Sequence, residues 1–309
     1  MQERKYMDLE PKIQSIIEKS GAKFGVALRH IESGEEILIN ADQYFPMASV
    51  FKIPILVEAC FRLAEGQIKP TDRWTLLNSD KNFPSGVLVF FDEGLTPTVK
   101  DLMMFMIIIS DNTATDILLN RLGKQAVVSR MRSLGLNNIH ITMTVRELFA
   151  EIMPDTNPNK PIQELYRIMR EKGDELEETP KTGRIVALTP ENNVSTPRDM
   201  TRLLQLIYDG KAPNREWSDY ALNILFHQQL NDRIPRFLPN GTLVAHKTGT
   251  ISSTRNDAGI IYVNDKSHVI LSEFVIWEPP QDPRLARQGV FEVENAMGEI
   301  ALAAYQAYS

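Results

Sequence analysis

Only one cysteine, Cys60, occurs in the 309 residues, so no internal disulfide can form. It falls in an apolar helical run, where a small buried side chain is the reading rather than a reactive thiol. Basic charge is also short: 34 Lys and Arg against 40 Asp and Glu leave a net −6 with no basic stripe, which excludes nucleic acid as the expected partner. The longest apolar run, residues 102–109, is far too short to span a bilayer. The opening Met1-Gln2-Glu3-Arg4-Lys5-Tyr6-Met7-Asp8 has no apolar stretch of signal-peptide type. The five histidines (His30, His140, His227, His246 and His268) are scattered with no pair at ligand spacing, so no metal and no other cofactor is expected. His246 precedes Lys247, and strand alternation turns it to the opposite face as a structural histidine. No repeat and no low-complexity tract interrupts the chain.

The residues that are present suffice for a substantial core in a single unit. Residues 9–19 read as a helix, followed by strands at 24–30 and 36–40 joined by the turn Glu32-Ser33-Gly34. A mostly helical region then runs to about residue 210, its last helix at 198–208 opened by Ser195-Thr196 and Pro197. Strands return at 242–247, 258–263 and 269–277, before a C-terminal helix over about 291–305. The expected fold is α+β: strands from both chain ends meet in one antiparallel sheet covered by the terminal helices. A helical lobe, approximately 46–210, packs beside an α/β lobe of approximately 1–45 and 211–309, with a site in the cleft between them.

Three short motifs carry the chemistry: Ser49-Val50-Phe51-Lys52, Ser110-Asp111-Asn112 and Lys247-Thr248-Gly249. A hydroxyl is a poor nucleophile at neutral pH and needs a base within hydrogen-bond reach. On one helix, Ser49 and Lys52 share a face, and a serine at a helix N-terminus points its own N–H at a reacting carbonyl. Read alone, the pair is more often an N-cap serine with a solvated lysine. Ser110-Asp111-Asn112 sits between an apolar run and a helical segment, where a hydroxyl and an amide could relay a proton and bind a substrate amide; alone it is a turn. Lys247-Thr248-Gly249-Thr250 lies between two β-like runs, either as a loop or as an edge strand presenting a cation and a hydroxyl to a carboxylate.

In this order the motifs make the chain resemble the class A β-lactamases and the wider group of β-lactamase-like serine hydrolases and penicillin-binding proteins. The resemblance rests on Phe45 to Lys52, on Ser110 to Leu122 (SDNTATDILLNRL), on Thr196 to Met200, on Val244 to Thr250 and on Asn256-Asp257. It implies a β-lactamase/transpeptidase-like fold with Ser49 as the acylated nucleophile, Lys52 as the neighbouring base and Ser110 as proton shuttle. Asn112 would hold the substrate's side-chain amide, and Lys247 and Thr248 its carboxylate. The backbone N–H groups of Ser49 and Thr250 would form the oxyanion hole. The implied partner is a small β-lactam or cell-wall peptide-like substrate, the protein a monomer, and its place the periplasm or exterior, with the cytoplasm as the alternative.

The departure from the family pattern concerns deacylation. Class A enzymes share a Glu-x-x-Leu-Asn loop whose glutamate activates the hydrolytic water, and no Glu-x-x-Leu-Asn occurs here. Glu147 falls nearest the expected distance after Ser110, although its surroundings read as an ordinary amphipathic helix. Glu175, Glu177, Glu178 and Glu191 are the further candidates, in or after an inserted stretch with a linker at 154–161 and a helix at 162–172. Three functions are compatible: a β-lactamase, a D-alanyl-D-alanine carboxypeptidase or esterase, and a non-hydrolytic penicillin sensor. Retention of all three motifs argues against the last, and the match at 110–122 favours the first.

Overall fold

The structure is a computed structural model that describes residues 8–152, 164, 167, 171, 186–251 and 253–309. Its centre is a five-stranded antiparallel sheet in the order β2-β1-β7-β6-β5, formed by β1 (Lys23–His30), β2 (Glu36–Ile39), β5 (Leu243–Ile251), β6 (Thr254–Asn264) and β7 (Ser267–Ile276). A small ladder pairs β3 (Phe45–Pro46) with β4 (Val194–Ser195). The helices are α1 (Leu9–Ser20), α2 (Lys52–Ala64), α3 (Val99–Ile108), α4 (Asn112–Leu122), α5 (Lys124–Ser133), α6 (Val145–Ile152), α7 (Pro197–Tyr208), α8 (Arg215–Phe226) and α9 (Pro283–Ala307).

Alternation along the strands divides the core. On β7, Val269, Leu271 and Val275 pack with α1 and α9, while Ile270 and Phe274 join the larger cluster built from α2, α3, α4, α7 and α8. A strand covered on both faces carries apolar residues at both parities, which is why residues 269–277 are legible as a strand without strict alternation. The helix starts follow side-chain caps: Thr98 accepts from Asp101 N, Asp111 from Ala114 N, Thr196 from Asp199 N and Asn214 from Trp217 N. The sequence reading of the last helix is too short at its start. Asp282 caps it and Pro283 occupies its first turn, so it begins well before residue 291, in a stretch whose prolines resemble a loop. The proposed linker at 154–161, the acidic residues Glu175, Glu177 and Glu178, and most of the helix at 162–172 lie outside the described residues.

Candidate active site

Ser49 does not lie on a regular α-helix. It sits in a 3-10 turn, Ala48–Phe51, and Lys52 begins α2, its N–H bonded to the carbonyls of Ser49 and Val50. Ala48 holds a left-handed φ of +44° and Ser110 one of +57°; such conformations cost non-glycine residues about 1–3 kcal/mol each and persist only where the surroundings enforce them. Lys52 is fully buried and donates to the Ser110 carbonyl at 2.7 Å, the Ser110 hydroxyl at 3.0 Å and Asn112 Oδ1 at 2.9 Å. Burial lowers its amine to about 7 against the pull of Asp111 and Asp116 in the other direction. The same amine therefore exists in both forms near neutrality, as a general base requires.

Asp111 and Asp116 are contributions the motif reading left without a role. Asp111 Oδ1 caps α4, and Oδ2 accepts from the Val87 and Leu88 amides at 2.6 and 2.9 Å, tying that loop to the start of α4. Gly86 has a φ of +106°, and a Cβ there would stand 2.2 Å from Asp111 Oδ2, so glycine is required on both counts. Asp116 receives Val145 N, Arg146 N and Asn82 Nδ2 at 2.8, 2.9 and 2.6 Å. Burial pushes its carboxyl up to about 6 despite the Arg146 and Val145 amides. A helical aspartate on an apolar face was the one available signal.

The third motif lies within a strand rather than after one, since β5 continues to Ile251 along the open edge of the sheet. Lys247 is fully buried and donates to the Thr248 carbonyl at 2.8 Å; burial, and then the nearby Lys52, hold its amine well below the ordinary lysine range. Gly249 shares its face, and a Cβ there would stand 2.7 Å from the Met47 carbonyl oxygen, so glycine permits β5 to abut the Ser49 turn. Thr248 and Thr250 alternate to the other face. Thr250 is exposed, and its hydroxyl accepts from Arg233 Nη2 at 2.5 Å. Arg233, unforeseen in the sequence because it stands in a polar turn, also donates to the carbonyls of Gly249 and Asn256 at 2.9 and 2.7 Å and pairs with Glu294. His246 faces away from Lys247, between Asp257 at 3.0 Å and Asn231 at 3.2 Å.

Glu147 is engaged elsewhere. Its carboxylate accepts from Thr144 N at 2.7 Å and Lys124 Nζ at 2.5 Å, and Thr144 Oγ1 accepts from Glu147 N, a capping box at the start of α6. Partial burial raises its pKa, but Lys124 and the Thr144 amide outweigh it and the carboxyl stays below its ordinary range. The carboxylates acting on Lys52 are Asp111 and Asp116. Glu191 is exposed. Cys60 is buried, which pushes its thiol up to about 12.

A family model described as the β-lactamase enzyme family matches residues 8–308, nearly the whole chain. The chain belongs to the β-lactamase enzyme family. Among curated relatives, β-lactamase VEB-1 of Pseudomonas aeruginosa is 25% identical over 281 residues, covering 87% of this chain and 82% of the relative. A β-lactamase of Streptomyces albus G is 27% identical over 274 residues, covering 86% and 76%. The crystal structure of a β-lactamase from Sphaerobacter thermophilus superposes with a TM-score of 0.76 at 27% identity, covering 97% of each chain. The structure of PBP-A shares the fold, with a TM-score of 0.74 at 24% identity over 97% of this chain and 95% of that one. As a β-lactamase family member the protein is a serine hydrolase acting on the β-lactam amide bond. No helix among the described residues is long and apolar enough to cross a membrane.

Proposed function

We propose that this β-lactamase opens its substrate through an acyl-enzyme on Ser49. The observation that carries the reading is the buried Lys52 amine, following the Ser49 turn directly and bonded to both the Ser110 hydroxyl and Asn112 Oδ1. Neutral Lys52 takes the Ser49 proton as Oγ bonds to the lactam carbonyl carbon, and the Ser49 and Thr250 amides hold the oxyanion. On collapse the carbonyl–nitrogen bond breaks, and the leaving nitrogen takes a proton from Ser110, which Lys52 replenishes across their 3.0 Å bond. Because Lys52 occupies Asn112 Oδ1, the Asn112 NH₂ is left to donate to the substrate's side-chain carbonyl. Lys247, held below its ordinary pKa by burial and by Lys52, gains a counter-ion when the substrate carboxylate arrives beside it. The protein acts as a monomer without a cofactor, in the periplasm or outside the cell.

The test is intact mass during turnover of a chromogenic cephalosporin. The wild-type enzyme gives sustained colour or a cephalosporoyl adduct, and Ser49→Ala gives neither. An unchanged adduct with benzylpenicillin in Ser49→Ala would overturn the assignment of the nucleophile.

A further inference from the structure

Asn256 belongs to the sheet, yet its side chain reaches the turn that carries Ser49. It lies on β6 opposite Gly249 of β5 and is fully buried. Its Nδ2 donates to two successive carbonyls, Pro46 at 2.8 Å and Met47 at 3.0 Å. Its Oδ1 accepts from Val275 N at 3.1 Å, and its backbone carbonyl accepts from Arg233 Nη1 at 2.7 Å. A primary amide has two N–H donors, and both are used on the peptide units either side of Met47. Those units lead into the left-handed Ala48 and then Ser49; the Met47 carbonyl also accepts from Val50 N at 3.0 Å, closing the turn. Gly249 closes on the same carbonyl from the strand side.

We infer that Asn256 is a positioning residue that sets the register between the Ser49 amide on the turn and the Thr250 amide on β5, the two donors for the oxyanion. The inference rests on the oxyanion hole proposed above. Ser49 lies two residues after Met47, and Thr250 one residue after Gly249. Asn256 is hydrogen-bonded to the first segment and strand-paired with the second, so one side chain spans the gap between separate parts of the chain. Oxyanion stabilisation depends on both donors standing about 2.7–3.1 Å from one point, so a slip of either segment weakens it. The strained Ala48 gives the turn a reason to relax once its clamp is removed.

The test uses phenylboronic acid: the Ser49 oxygen bonds to boron, its proton passes to Lys52, and a boronate hydroxyl occupies the hole with no leaving group. Asn256→Ala should lose about 10–100-fold in boronate affinity and in acylation rate constant, less than or equal to the usual cost of deleting a donor, while the dissociation constant of the cephalosporin before acylation, read from the concentration dependence of the burst, changes little. In Asn256→Asp at pH 8 the carboxylate opposes two carbonyls; at pH 5 the protonated group donates to one of them, and the deficit relative to wild type should shrink about tenfold. Arg233, on the residue 256 carbonyl, and Lys247, on the paired strand, are the neighbouring cations, and comparison with wild type at each pH cancels the titration of Lys52 near 7. Wild-type boronate affinity and acylation in folded Asn256→Ala would overturn the inference, as would a pH-independent deficit in Asn256→Asp. Should Asn256→Ala not fold, the Asn256→Asp series decides alone. A wild-type enzyme that forms neither adduct on Ser49 would instead refute the oxyanion-hole reading, and the inference with it.

Discussion

The buried Lys52 makes a prediction about stability that is separable from catalysis. Its amine falls from an ordinary 10.5 to about 7, chiefly through burial. At about 1.4 kcal/mol per unit this is on the order of 5 kcal/mol, undiscounted because the group is wholly shielded from solvent. The folded pKa lies below the unfolded one, so between pH 7 and 10.5 the unfolded chain binds a proton that the folded chain does not. Stability must therefore rise with pH through that window, with the full cost present below pH 7 and none above 10.5. From pH 7 to pH 10 wild type should gain about 3–4 kcal/mol from this group, and Lys52→Met should not. The absolute stability of the variant also reflects the unpaired Ser110 and Asn112 oxygens, but their contribution does not vary with pH in this range. Lys247 shifts in the same direction and is present in both proteins, so the difference curve isolates Lys52 apart from its coupling to that neighbour. Asp116, at about 6, titrates below the window. Urea unfolding of both proteins at pH 7, 8, 9 and 10 measures the slope, and stopped-flow acylation should fall about tenfold per unit below pH 7 as the base protonates. Parallel stability curves, together with acylation that is flat from pH 5 to 9, would refute a buried amine titrating near neutrality.

Lys247→Ala should lower kcat/KM about tenfold or more for carboxylate-bearing substrates, the loss of one charge-assisted hydrogen bond, and leave p-nitrophenyl acetate nearly unaffected. Equal losses on both would show that Lys247 supports the Lys52 base or the strand instead. With no loop glutamate assigned, deacylation should be the slow step, seen as a burst near one equivalent of enzyme before a slower steady rate; a linear time course counts against it. Because Glu147 caps α6 and pairs with Lys124, Glu147→Gln should retain the steady rate. A drop confined to the second phase would mean that Glu147 leaves its cap to orient water.

The sequence by itself determined the strands of the sheet, the cap that opens α7, and the three ordered motifs, because each depends on local periodicity or on short spacing. Residues 9–19 and 24–30 are legible since a one-sided helix and a buried strand leave distinct patterns over a few turns. The orientation of His246 away from Lys247 needed only strand alternation. Tertiary structure decided the rest. Whether Lys52 is a solvated lysine or a buried base depends on Ser110 and Asn112, more than fifty residues away, closing over it, and desolvation has no local signature. Asp116, Arg233 and Asn256 carry no motif; each becomes informative only when the fold brings backbone groups from other segments to its side chain. The same holds for Glu147, whose spacing suggested a water-activating base and whose carboxylate caps its own helix, because a carboxylate's role is set by the donors that surround it.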